Sequence, residues 1–121
     1  MILVDSSVWI DHLRAADPQL NLILLQGAVT QHRFVTAELA LGTIANRELV
    51  ISRLAALPQV DLAEEDDLLT FIESAALPGT GIGLVDAHLL YASHHHQHRL
   101  WTRDKRLRAQ AEKLGCAYEM T

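Results

Sequence analysis

Four acidic residues, Asp5, Glu38, Asp86 and Asp104, stand where a chain of alternating strands and helices can bring carboxylates together. Two unit charges ~5 Å apart at an effective dielectric of ~20 repel by roughly 3 kcal/mol, so converging carboxylates must either take up protons or bind cations. A hard divalent ion, Mg²⁺ or Mn²⁺, meets that demand through oxygen ligands and keeps positions for water and a substrate phosphate. Ions held in this way activate water for attack on phosphorus and neutralise charge on the leaving oxygen. That is the chemistry of phosphodiester hydrolysis.

Each acid also has a purely structural explanation. Asp5 closes the apolar run MILV ahead of SSVWIDHLR, and Asp104 follows RLWT ahead of KRLRAQAEKLG. Both are strand-to-helix junctions, where aspartate is a favoured N-cap worth ~1 kcal/mol. Asp86, in GLVDAHLL, lies at the start of a helix after a glycine loop, and Glu38 falls in the first turn of a helix that should begin near Thr36. Negative charge suits the dipole at such positions. Helix-start chemistry therefore accounts for any one of them alone. The joint pattern asks for more, because ligands of open α/β sheets bind beyond the carboxyl ends of the strands, the edge that Asp5 and Asp104 share. The competing reading is a non-catalytic interaction module whose acids cap helices, bind a partner or hold a structural cation. A phosphatase of the haloacid-dehalogenase type needs a second aspartate two residues after the first, and Ser7 stands there instead.

The elements that must position these acids follow from periodicity. Ile2 to Val4 reads as a buried strand and SSVWIDHLR as the helix after it. Pro18 and Gly27 bracket a short apolar helix, LNLILLQ, and a strand is expected at Ala28 to Thr30. Helical spacing runs through AELALGTIA, then through Val50, Leu54 and Leu57 until Pro58 ends it, with a short strand at Gln59 to Leu62. AEEDDLLTFIESAAL places Leu68, Leu69, Ile72, Ala75 and Ala76 on one stripe, and its acidic start suits the helix dipole. After the loop PGTGIG, LVDAHLLYASHHH is helical with Val85, Leu89 and Ala92 inward. The loop lacks the GK[ST] ending of a phosphate loop. RLWT is a strand, DKRLRAQAEKLG a helix with Leu107, Ala111 and Leu114 on one face and Gly115 as its stop, and CAYE a last strand. This alternation predicts an α/β fold, a short parallel sheet flanked by helices in three layers, as one domain over residues 1–121.

At 121 residues, half of them apolar, the chain supports one well-buried core. It has no apolar stretch of the ~20 residues that a membrane helix needs, and no signal-peptide pattern, so a cytoplasmic protein without membrane contact is expected. A single cysteine, Cys116, excludes an internal disulfide and reads as a buried thiol. The net charge of −5 speaks against a generic nucleic-acid coat. Yet six of the ten basic residues, Arg99, Arg103, Lys105, Arg106, Arg108 and Lys113, crowd into one fifteen-residue window. That window is either a solvated helix face or a phosphate-facing surface.

His94, His95, His96 and His98 form HHHQH near a helix end. The His94–His98 spacing matches a zinc pair, but the accompanying acid of HExxH and any nearby cysteine are missing, and imidazolium suits a helix C-terminus. A solvated helix end is the expected role. His88, two residues after Asp86, is expected on a helix surface, with proton transfer as its functional alternative.

Four blocks carry a specific resemblance: VDSSVWIDHL, FVTAELALG, GLVDAHLL and LWTRDKRLRAQAEKLG. Their order and spacing, over nearly the whole chain, are similar to those of PIN-domain nucleases and look most like VapC-type toxins of bacterial toxin–antitoxin pairs. The resemblance implies a PIN-like sandwich and a metal-dependent active site formed by Asp5, Glu38, Asp86 and Asp104, using Mg²⁺ or Mn²⁺. It places the hydroxyls of Ser7 and Thr102 beside that site as supports. It further implies RNA as substrate, a homodimer, and a VapB-type antitoxin whose tail occupies the site. With RNA as the ligand, Arg99, Arg103, Lys105 and Arg106 become candidate RNA contacts. Arg33 stands where many relatives carry a proline.

Overall fold

Three parallel strands form the sheet, in the order β2-β1-β3, in a computed structural model that describes residues 1–119. They are β1 (Ile2–Val4), β2 (Val29–Thr30) and β3 (Arg99–Trp101). Leu3 and Val4 of β1 are wholly buried, as a central strand covered on both faces must be. Chain order and sheet order diverge at β1: the chain passes to β2 on one side and returns much later as β3 on the other. A crevice opens at such a reversal, beyond the carboxyl ends of the strands.

Among the described residues seven helices accompany the strands: α1 (Ser6–Arg14), α2 (Pro18–Leu25), α3 (Arg33–Ala40), α4 (Arg47–Ala56), α5 (Glu65–Ser74), α6 (Leu84–His95) and α7 (Lys105–Lys113). The starts of α1, α2 and α7 are set by aspartates at 5, 17 and 104, whose side chains accept from backbone N–H groups. One buried cluster joins the layers, running from Leu3 through Leu20, Val35, Leu89 and Leu100 to Ala117. Cys116 lies in it as a free thiol. Among the described residues no helix is long and apolar enough to cross a membrane.

Several expectations need correction. The strands expected at Gln59 to Leu62 and in CAYE shrink to single bridges, Gln31 with Gln59 and Leu100 with Ala117. Helix α3 begins at Arg33 rather than near Thr36, because His32 serves as its N-cap, and it stops at Ala40, so GTIA is not helical. Glu38 therefore sits in the second turn of α3 and not in the first. In α5 the inward residues are Leu68 and Phe71, with Ile72 and Ala75 partly buried, whereas Leu69 is 54% exposed. Leu69 is one residue, or ~100°, round the helix from Leu68, which turns it away from the sheet. Ala76 lies past the helix end with φ +54°, the left-handed geometry of a stop.

Candidate active site

Asp5 leaves the central strand at its carboxyl end, and its backbone N–H donates to Trp101 O at 3.0 Å. Both oxygens of its side chain accept hydrogen bonds. Oδ1 accepts from Ser6 N at 2.7 Å, which caps α1. Oδ2 accepts from Ser7 Oγ at 2.8 Å and from Thr102 Oγ1 at 2.7 Å. Those hydroxyls in turn accept from Arg103 N at 3.0 Å and Asp104 N at 3.1 Å. The carboxylate, only 5% exposed, is thus locked by hydroxyls whose other contacts dictate their direction. Ser7 and Thr102, singled out by resemblance, are the residues that orient it.

The other acids surround this anchor. Asp104 caps α7 through Leu107 N at 3.0 Å, and Asp86, on the first turn of α6, makes one long contact with Gly83 N at 3.4 Å. Glu38 reaches the same neighbourhood from α3. Burial raises its carboxyl above the usual range, and the charges of Asp5 and Asp86 raise it further, against a lowering pull from the Ser6 hydroxyl. Asp86 is raised by burial first, then by Asp5 and Asp104, against the Gly83 N–H. Three helix beginnings and the second turn of α3 therefore bring four carboxylates into mutual repulsion. Among the described residues, no three His, Cys, Asp or Glu groups stand close enough together to cage an ion. Asp5 and Asp104 already accept cap bonds from Ser6 N and Leu107 N. As donors, four carboxylates with two adjacent hydroxyls suit a hard, oxygen-seeking divalent ion.

The basic window divides. Arg103 spans Asp11 Oδ2 and Asp17 Oδ2 at 2.6 Å each, with its guanidinium 5.8 Å from the Trp101 ring centre. It is a strut tying the end of β3 to α1 and to the N-cap of α2. Arg103→Ala should cost about 1 kcal/mol in urea unfolding, as expected for a partly exposed double pair. Arg99 donates to Gly115 O at 2.7 Å from the opposite end of β3, away from Asp5. Arg108 pairs with Glu112 at 2.9 Å. Lys105 and Arg106 are exposed on the first turn of α7, beside Asp104.

His88 lies two residues, or ~200°, round α6 from Asp86. Its ring packs edge-on against Phe34 at 4.7 Å and His32 at 5.9 Å, so it faces α3 rather than the acids. His95 stacks on Tyr91 at 5.1 Å and His94 tilts over Phe71 at 5.9 Å, at the amino end of the sheet and remote from Asp5. The run is an aromatic-packed helix end. Two contributors escaped the sequence reading. Asp17 had a readable signal, an aspartate directly before Pro18. Asp11 had none, because its partner Arg103 is 92 residues away.

A parallel α/β sheet with acids gathered at its carboxyl edge defines a PIN-like protein. No protein-family model matches the chain. Ribonuclease VapC32 of Mycobacterium tuberculosis, in strain CDC 1551 / Oshkosh and in strain ATCC 25618 / H37Rv alike, is 46% identical over 118 residues, 97% of this chain and 95% of the relative. The chain belongs to the VapC-type PIN-domain ribonucleases.

Proposed function

We propose that the protein is a Mg²⁺- or Mn²⁺-dependent endoribonuclease, the toxin of a toxin–antitoxin pair, with Asp5, Glu38, Asp86 and Asp104 as its ion-holding acids. The observation that carries this reading is electrostatic: burial raises both Glu38 and Asp86, and the charge of Asp5 raises both further, with Asp86 adding to Glu38 and Asp104 to Asp86, a repulsion that a cation would relieve. A bound divalent ion would supply neutralisation of phosphate charge and a more acidic water. The chain's own residues do the rest. Ser7 and Thr102 hold Asp5 in one orientation, and Glu38 or Asp86, each raised above the usual carboxylate range by burial, is suited to accept a proton from the attacking water.

The relatives' name, Ribonuclease VapC32, supports RNA as the substrate, and a VapB-type antitoxin as the partner belongs to the toxin reading. A hollow of ≈ 320 Å³, lined by Glu38 and Arg14 together with Ile10, Leu13 and Ile44 among others, offers a seat of mixed charged and apolar character for a partner segment. A homodimer and a cytoplasmic location belong to the same reading. Purified protein should cleave RNA with Mn²⁺ or Mg²⁺, lose that activity on chelation and regain it when the ion returns. Cleavage that persists in excess chelator would overturn the metal role. The non-catalytic module has one observation in its favour, the missing ion cage among the described residues, and it predicts partner binding without turnover.

A further inference from the structure

Arg106 makes a contact that neither its place on the first turn of α7 nor any ion pair explains. A Cβ placed on Gly81 would lie 3.0 Å from Arg106 Nη1, 3.3 Å from Cδ and 3.4 Å from Cζ. The guanidinium end of Arg106 therefore rests on the bare backbone of the loop preceding α6. Gly81 has φ +84°, which disfavours any side chain there in addition to the lack of room. This contact closes the gap between the start of α6, which carries Asp86, and the start of α7, which begins at Asp104. Among the described residues no carboxylate lies within ion-pair distance of Arg106. Every other arginine of the basic window is engaged elsewhere, Arg99 with a carbonyl and Arg103 and Arg108 with carboxylates.

We infer that Arg106, seated on Gly81, is a clamp for a backbone phosphate of the RNA strand, next to the phosphate that the four acids would process. The inference rests on the nuclease reading for the ligand's identity. An acidic site repels the polyanion it must bind, so a positioned guanidinium at its rim supplies the missing attraction. Its planar fork donates to two phosphate oxygens in parallel, which a lysine cannot match. Without Gly81 the same charge would swing free. A flanking phosphate is gripped equally in the ground and transition states, so the clamp should act on KM and leave kcat nearly unchanged.

The test measures binding separately from cleavage. Single-stranded RNA is titrated against the Asp5→Asn protein carrying Arg106→Ala, Arg106→Lys or Gly81→Ala, across a salt series, with Arg53→Ala on α4 as the control. Arg106→Ala should weaken binding about five- to tenfold at low salt and reduce the slope of log K against log salt by about 0.7, one phosphate contact on a single strand. Arg106→Lys and Gly81→Ala should weaken it several-fold while keeping the charge, and Arg53→Ala should change nothing. In the otherwise wild-type protein Arg106→Ala should raise KM with kcat within about twofold. Arg106→Ala with unchanged affinity and slope overturns the clamp. Arg106→Lys and Gly81→Ala both matching the Asp5→Asn parent overturns its seating on Gly81, since charge alone would then suffice. Because binding is read in a background lacking Asp5, the two readings separate: absence of metal-dependent cleavage by the protein with Asp5 intact refutes the nuclease reading, while Arg106-dependent binding in the Asp5→Asn background leaves the clamp standing.

Discussion

Asp5→Asn is expected to lower metal-dependent RNA cleavage by at least ~10²-fold while leaving the fold as stable as the parent or slightly more so. The two halves of this result have separate causes. Asn can keep Oδ1 on Ser6 N and turn its amide toward Ser7 Oγ and Thr102 Oγ1, hydroxyls that accept as well as donate. The hydrogen-bond pattern survives with the hydroxyl protons redirected. What disappears is the negative charge at the centre of the cluster, which opposes ionisation of Glu38 and Asp86. Both carboxyls should therefore titrate lower in the variant, which side-chain NMR can follow. Cleavage assays, thermal melting and that titration form one experiment. An Asn variant that unfolds would make Asp5 a structural residue, and one that cleaves at the parental rate would remove it from the chemistry. Loss of activity, retained melting and lowered carboxyl pKa values together would identify an electrostatic ion-holding role.

The second large effect is on acid stability and comes from His32. Its ring is 1% exposed, and Nδ1 accepts from Phe34 N at 3.0 Å as the N-cap of α3. Only the neutral imidazole can accept there. Burial, then the neighbouring His88, then Arg33 push its pKa from 6.5 down to about 4. The unfolded chain therefore binds a proton between those values that the folded chain refuses, and stability rises with pH across that window. The contribution is fully present above pH 6.5 and is lost progressively as pH falls toward 4, amounting to about 3 kcal/mol. Glu38 and Asp86 act with the opposite sign, since their raised folded values favour the folded state as they protonate.

His32→Asn isolates the imidazole. Asparagine can supply the same cap without titrating, so the variant should be less stable than wild type at pH 7.5 for lack of ring packing against Phe34 and His88. The gap should narrow toward pH 4, because the carboxylate contributions are common to both proteins and cancel in the difference. Urea unfolding at several pH values measures it. Parallel stability curves for the two proteins would show that His32 does not titrate on unfolding.

Much of this was legible from residue order alone. The alternation of apolar runs with helical periods specifies the parallel α/β class, since a short buried run and a 3.6-residue stripe leave few other packings. The caps at Asp5 and Asp104 are local, one side chain bonding to a backbone within three residues, so they too were readable. Local rules failed at α3, where propensity gives no warning that a buried histidine will act as an N-cap and move Glu38 to the second turn. The strands expected after Pro58 and at CAYE failed for a similar reason: strand length depends on a neighbour's register, and each found a single bridge.

The tertiary structure decided the meaning of the charges. Glu38 is separated from Asp5 by 33 residues and from Asp86 by 48, and only the folded chain makes them perturb one another. Arg103 and Arg106 are three residues apart and look interchangeable in sequence. One is spent on Asp11 and Asp17, while the other rests on a glycine 25 residues upstream. Coulomb energy depends on distance through space, which sequence separation does not encode.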